Sequence, residues 1–159
     1  MDPLKTVRVG QTNLSVSQLG FGGGTLGDPT EITTDHQADL TVEAAYASGV
    51  VHFDTSPWYG NGKSEHRVGR ILRNKPRDSF VLTTKVGRVY KRPADPATFH
   101  QSRWRGGFQF DLDFDYTRQG FQRSYEQSLM RLGMTSVDAL LIHDLDPRHQ
   151  KSEEGVQRA

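Results

Sequence analysis

The strongest constraint on this chain is an alternation. Four short runs, 18–22, 50–54, 80–85 and 137–143, are each mostly apolar and end in glycine or an ionisable residue. Between them lie three stretches with helical spacing. The first starts near Asp35 and carries Ala38, Val42, Ala45 and Tyr46; the second carries Val68, Ile71 and Leu72; the third, about 117–131, carries Phe121, Tyr125 and Leu129, with Leu132 following at the same spacing. Strand, helix, strand in repetition can bury both faces of its strands only as a parallel sheet with helical crossovers. The punctuation agrees. Thr34-x-x-Gln37 reads as a capping box before the first helix, and Gly49 as its stop. Ser64 reads as the cap of the second helix, with Pro76 beyond its end, and Gly133 closes the third. Ahead of all this, 5–9 and 14–16 flank Gly10-Gln11-Thr12-Asn13, a short β-hairpin.

The totals exclude several classes. Lys plus Arg is 20 against 19 for Asp plus Glu, which leaves no electrostatic footprint for nucleic acid or an acidic membrane. There is no cysteine, hence no disulfide and no thiolate metal site. The apolar runs fall far short of the roughly 20 residues that span a bilayer, and MDPLKTVRVG has no apolar signal core. A soluble, cytoplasmic protein without a metal centre is expected.

Two motifs mislead. Gly22 to Gly27, GGGTLG, spells G-x-G-x-x-G. A Rossmann fingerprint needs a helix to open at the glycines, whereas here a loop continues through Asp28-Pro29 to the capping box. Tyr59-Gly60-Asn61-Gly62-Lys63 spells the Y-x-x-x-K pair of short-chain dehydrogenases. Those enzymes hold both residues on one helix face. Each glycine in a helix costs about 1 kcal/mol relative to alanine, so this stretch reads as a turn.

The strand ends carry the chemistry. The second strand ends in Asp54, the third in Lys85 and the fourth in His143, with Tyr59 in the loop after Asp54. In a parallel α/β sheet these ends share one rim, where such folds place their active sites. As a set they suit carbonyl reduction by hydride. A phenol titrates near 10 in water, too high for easy transfer at neutral pH, and a nearby ammonium favours its phenolate. Lys85 can supply that charge, and Asp54 can hold Lys85 protonated. His143 can donate to the carbonyl oxygen and orient the substrate. Tyr59 then serves as general acid in reduction and general base in oxidation.

FDTSPWYGNGKSEHRVG, followed by TTKVG and later LLIHDLD, resembles the aldo-keto reductases from Val7 to about Asp146. WRGGFQFDLDFDYT and LLIHDLD look closest to that family's aldose (D-threo-aldose, L-fucose or galactose) and pyridoxal dehydrogenases. The resemblance implies a (β/α)8 barrel entered through an N-terminal hairpin, with Asp54, Tyr59, Lys85 and His143 as its catalytic tetrad. It implies NADP or NAD lying across the carboxyl rim, with Gly23, Gly24, Thr25 and Asp54 near the nicotinamide, and a small carbonyl or sugar substrate touching His143 and Trp58. It also implies an alternative: potassium-channel β subunits resemble this family and act chiefly by binding.

A complete barrel takes about 250 residues, and this chain supplies about four βα units. The expectation is a partial barrel over 1–159, impaired alone because strands five to eight would carry most of the cofactor grip. Its free edges and inward side chains Val51, Phe53, Val81, Leu140 and Ile142 would promote self-association through the open face. Residues 87–115 form a long segment, with Trp104, Phe108, Phe110 and Phe114 in it and Tyr116 just beyond; it is expected to be an extended loop serving as a substrate lid or a satellite core. Within it, Asp111-x-Asp113-x-Asp115 starts like a calcium loop but lacks the glycine and glutamate, having Tyr116 and Gln122 in those places. His52 is expected in the core and His36, His66, His100 and His149 in solvent. The tail, 146–159, is expected to fray.

Overall fold

The chain enters the fold through an antiparallel hairpin, β1 (Thr6–Arg8) with β2 (Ser15–Ser17). In this computed structural model, residues 2, 4–101 and 103–158 are described. β3 (Phe21–Gly22) runs into a short 3-10 turn, Gly23–Gly27. Then follow α1 (Asp35–Ala47), β4 (His52–Asp54), α2 (Lys63–Leu72), β5 (Val81–Val86), β6 (Arg88–Lys91), β7 (Asp111–Phe114), α3 (Arg118–Leu132), β8 (Ala139–Ile142), α4 (Pro147–Gln150) and α5 (Glu153–Arg158). β3, β4, β5 and β8 form one parallel sheet in that order. It is the sequential order of strands in a β/α barrel, here four strands of it.

The helices form where their ends are satisfied. Thr34 Oγ1 accepts the Gln37 N–H at 3.2 Å and Gln37 Oε1 accepts the Thr34 N–H at 3.4 Å, the reciprocal cap expected for α1. α3 starts on Thr117, whose hydroxyl accepts the Gly120 N–H at 3.0 Å, and ends on Gly133 at φ 65°. α2 differs from expectation. Its cap is Gly62, and Ser64 lies inside the helix. Gly60, Asn61 and Gly62 all have positive φ, 66°, 52° and 92°, so the chain turns left-handed up to Lys63 and the helix begins two residues earlier than a serine cap would set it. The buried Ser64 hydroxyl instead donates to Gly23 O at 2.7 Å and accepts from Thr55 Oγ1 at 2.9 Å, tying the glycine turn to the loop after β4.

Register assigns the two sheet faces. Phe53 pairs with Leu82, and both are fully buried in the core with Val42, Val68, Leu72 and Leu132 of the helices. Phe53 therefore faces the helices, contrary to the inward orientation expected. Leu140 and Ile142 pair with Thr84 and Val86, and Thr84 reaches Glu65 of α2 at 2.7 Å, so these two also belong to the helix side. They stand 44% and 48% exposed because no helix covers that end of the sheet among the described residues. Val81 does face inward, in register with His52, and Val51 is half-buried just ahead of β4. The inward face is largely polar: His52 Nε2 meets Thr83 Oγ1 at 3.1 Å, and Thr83 donates to Asp54 Oδ1 at 2.8 Å.

Segment 87–115 is not loop throughout. β6 and β7 make an antiparallel ribbon that packs on α3, where Gln127 accepts the Tyr90 N–H and donates to Tyr90 O, each at 2.9 Å. The remaining loop is docked on the rim. Gly106 N–H donates to Asp28 O at 3.2 Å and Phe108 N–H to Gly60 O at 2.9 Å. The tail also differs. Asp146 accepts the His149 N–H at 3.0 Å and Pro147 opens α4, an ordinary cap-and-proline start that the scarcity of apolar residues had hidden. Of the expected frayed tail, Ala159 lies outside the described residues. No described helix is long and apolar enough to cross a membrane.

Candidate active site

The three ionisable strand ends converge. Asp54 closes β4 and Lys85 is the penultimate residue of β5, both on the inward face, and Lys85 Nζ lies 2.6 Å from Asp54 Oδ2. The ammonium also donates to Thr55 O at 3.0 Å. Both groups are mostly shielded, with 13% and 27% of their side chains exposed, which strengthens the pair relative to one in open solvent. Tyr59 arrives from the turn after β4, so that Lys85 Nζ sits 4.9 Å from its ring centroid. His143 follows β8 and continues the parity of Leu141 and, across the register, of Lys85. Its ring meets that of Tyr59 edge-on, at 5.8 Å between centroids and 85° between planes.

His143 is nearly buried, and burial pushes its pKa down to about 4, against the opposing pull of the Asp144 carboxylate. The Arg88 and Lys85 cations push the same way as burial. The ring is therefore neutral at neutral pH and can donate a hydrogen bond without carrying charge. Its backbone carbonyl is pinned by Tyr116, whose hydroxyl donates at 2.6 Å, and by Arg88 Nη1 at 3.3 Å. Arg88 is 1% exposed, stacks 3.9 Å from the Phe114 centroid and pairs with Asp144 at 3.1 Å.

A cleft of about 460 Å³ opens at this point, bordered by Trp58, Tyr59, Trp104, His143 and Asp144. Trp58 thus lies where a substrate-contacting residue was expected. It also packs edge-on against Trp104 and Phe114, at 6.5 and 6.1 Å. Gly23 is buried against the loop after β4: a Cβ there would stand 2.7 Å from Ser64 Oγ and 2.9 Å from Asp54 O. Gly24 is half-buried and Thr25 exposed in the same turn. Gly22, in register with Asp54, and Gly24 have no heavy atom within 4 Å of where a Cβ would stand. Bare backbone beside Asp54 fits the close approach of a flat ring such as nicotinamide.

The misleading motifs resolve physically. The glycine motif itself forms a 3-10 turn, Gly23–Gly27, that ends at Asp28 in the left-handed region, and α1 starts only at Asp35. Lys63 points away from a paired role with Tyr59 and donates to Asp28 Oδ2 at 2.7 Å and Gly106 O at 2.8 Å. Asp111 and Asp113 share Lys91, and Asp115 holds Thr117 and Arg123, so the three carboxylates do not converge on one point. His52 is hydrogen-bonded as expected, but it is half-buried on the inward face rather than in the core. His66 is exposed but packs its ring 5.4 Å from Phe108, and His149 is half-buried beside Asp146, so neither is merely solvated. Sequence reasoning missed Ser56, Thr83, Arg88 and Tyr116. Arg88 had a signal, a lone cation inside the apolar run of VGRVY; the others look like ordinary loop or strand residues.

The profile of the aldo/keto reductase family matches residues 18–157. The chain belongs to that family. It is 38% identical over 145 residues to pyridoxal 4-dehydrogenase of Microbacterium luteolum, covering 86% of this chain and 42% of that protein. It is 37% identical to D-threo-aldose 1-dehydrogenase of a Pseudomonas species, covering 82% and 41%. Among solved structures, an aldo-keto reductase from Bacillus halodurans in its holo form superposes with a TM-score of 0.65 at 25% identity, over 86% of this chain and 39% of that one. The chain thus spans about two fifths of the length of these curated relatives. Family membership makes the four-stranded sheet a portion of a (β/α)8 barrel.

Proposed function

We propose that this chain performs hydride transfer between a nicotinamide cofactor, NADP or NAD, and a carbonyl or sugar hemiacetal. The observation that carries the reading is the Lys85 ammonium, 2.6 Å from Asp54 and 4.9 Å from the centre of the Tyr59 ring, with the His143 ring edge-on to that ring at 5.8 Å. Gly22, Gly24 and Asp54 would hold the nicotinamide end, with Gly23 and Thr25 shaping the turn. A nicotinamide bound there supplies or accepts the hydride. The protein's part is the proton. In reduction the Tyr59 hydroxyl gives its proton to the oxygen of the substrate carbonyl, and the Lys85 ammonium stabilises the negative charge left on the phenol oxygen. Asp54 keeps Lys85 in place and charged. His143, neutral, donates a hydrogen bond that orients the carbonyl. Oxidation runs the same steps backwards, with Tyr59 as base. An aldose-like substrate is favoured by the names of the relatives and by a cleft that mixes aromatic walls with polar groups.

Fluorescence titration with NADPH and NADH, followed by assays with aldoses and aldehydes, tests this. Nicotinamide binding with turnover supports it. Binding without turnover, in the wild type and in Tyr59→Phe alike, would instead favour a family member that works by binding alone.

A further inference from the structure

Ser56 is fully buried behind His143. Its oxygen accepts the Trp58 N–H at 3.0 Å and lies 2.9 Å from His143 Nδ1. Among the described residues it has no other hydrogen-bond partner. A serine hydroxyl has one proton to give and two lone pairs. The Trp58 amide can only donate, so it takes a lone pair and leaves the hydroxyl proton to be placed. The acceptor in reach is His143 Nδ1. If Nδ1 carried the proton instead, the serine hydroxyl proton would be buried with no acceptor, an expensive arrangement.

We propose that Ser56 is a positioning residue that fixes His143 in its Nε2–H tautomer, so that the imidazole offers the cleft a donor rather than a lone pair. Two further observations agree. Nε2 stands 3.6 Å from Asp144 Oδ2, beyond hydrogen-bond range, and that carboxylate oxygen is already engaged by Arg88 at 3.1 Å, so the Nε2 proton remains available to a ligand. The ring cannot slide away from Ser56, because Tyr116 and Arg88 hold the His143 carbonyl from behind. A neutral ring makes the tautomer decisive: with the proton on Nδ1, an Nε2 lone pair would face the lone pairs of a bound carbonyl oxygen and repel it. The groups around the ring are Asp54, Lys85, Arg88 and Asp144 by charge, with Tyr59 at its edge. The cleft then selects ligands with an accepting oxygen beside Tyr59, a carbonyl or a hemiacetal oxygen. This consequence rests on the proposed function; the tautomer itself does not.

Long-range nitrogen–proton NMR on the ¹⁵N-labelled full chain reads the tautomer directly, since protonated and bare ring nitrogens resonate far apart. The chain has six histidines, and the signal that vanishes in His143→Gln is the one to follow. The wild type and Ser56→Thr should show Nε2 protonated and Nδ1 bare. Ser56→Ala should lose that pattern, giving a mixture or the reverse. Asp144→Asn should keep it. A wild-type ring with Nδ1 protonated would overturn the proposal, as would an unchanged ring in Ser56→Ala. A ring that changes in Asp144→Asn would overturn it too, by making Asp144 the determinant. Should Ser56→Ala fail to fold for want of a Trp58 partner, the wild type and Asp144→Asn still decide. A chain that shows the Nε2–H tautomer yet never engages nicotinamide would defeat the proposed function and leave this inference standing.

Discussion

His143 sits in an environment far from water, and stability should report it. Its folded pKa, about 4, lies below its ordinary value near 6.5 because burial disfavours the charged ring. Between those values the unfolded chain binds a proton that the folded chain refuses. The contribution to stability is therefore complete above about pH 6.5, falls as pH is lowered, and is gone by about pH 4. Urea midpoints for the wild type should drop across that window more steeply than those of His143→Asn; parallel curves would count against a buried neutral ring. At this scale the sequence was informative where a residue's role follows from its place at a strand end, as with Asp54, Lys85 and His143. It was silent on Ser56 and Tyr116. Their partners lie 87 and 27 positions away, and no local pattern marks a hydroxyl that will meet a particular imidazole or carbonyl.

Helices α2 and α3 meet at a place with room for nothing but hydrogen. A Cβ on Gly69 would stand 2.6 Å from the Leu132 Cα and closer still to its carbonyl oxygen. Two effects compete in Gly69→Ala. Helix propensity would gain about 1 kcal/mol, whereas forcing two backbones apart costs about 1–3 kcal/mol or more. Because the clash is with backbone, which cannot swing aside, the variant should be destabilised, with a lowered Tm. A raised Tm would show that the helices can separate. Thr34→Ala tests the other end of the packing and should cost about 1 kcal/mol in urea unfolding through the lost cap of α1. Element types were legible because the spacing, the capping box and Gly133 agreed with one another. The ribbon β6–β7 was not. Its strands are held by pairing across a nineteen-residue loop and by Gln127 of α3, and each alone is too short and too mixed in character to stand out. The α2 cap was misplaced because Ser64 looks like a cap, and only the left-handed turn at Gly60-Asn61-Gly62 explains why it is not one.

As a whole molecule the chain has a finished side and an open one. Between the sheet and α1–α3 the buried apolar residues form one cluster. At the far edge, Leu140, Leu141 and Ile142 of β8 are each more than two fifths exposed on both faces, beside an unpaired strand edge. Exposed apolar edges of this kind invite pairing with other chains. We propose self-association through β8, which sedimentation velocity would show as mass rising with concentration. Leu141→Lys should suppress it, and a monomer at every concentration would rule it out. The barrel class and the rim were readable from the alternation of elements. Which face each β8 residue takes was not, since that depends on register with β5. In the proposed reaction Asp54 and Lys85 from two strands, with Tyr59 and His143 from the segments beyond β4 and β8, deliver one proton as hydride crosses. The most direct measurement of that step is the rate of nicotinamide oxidation with an aldehyde or aldose substrate, compared between the wild type and Tyr59→Phe at equal nicotinamide saturation. The account predicts a loss of about 10²–10⁴-fold, the usual size of a general-acid contribution; equal rates in the two proteins would contradict it.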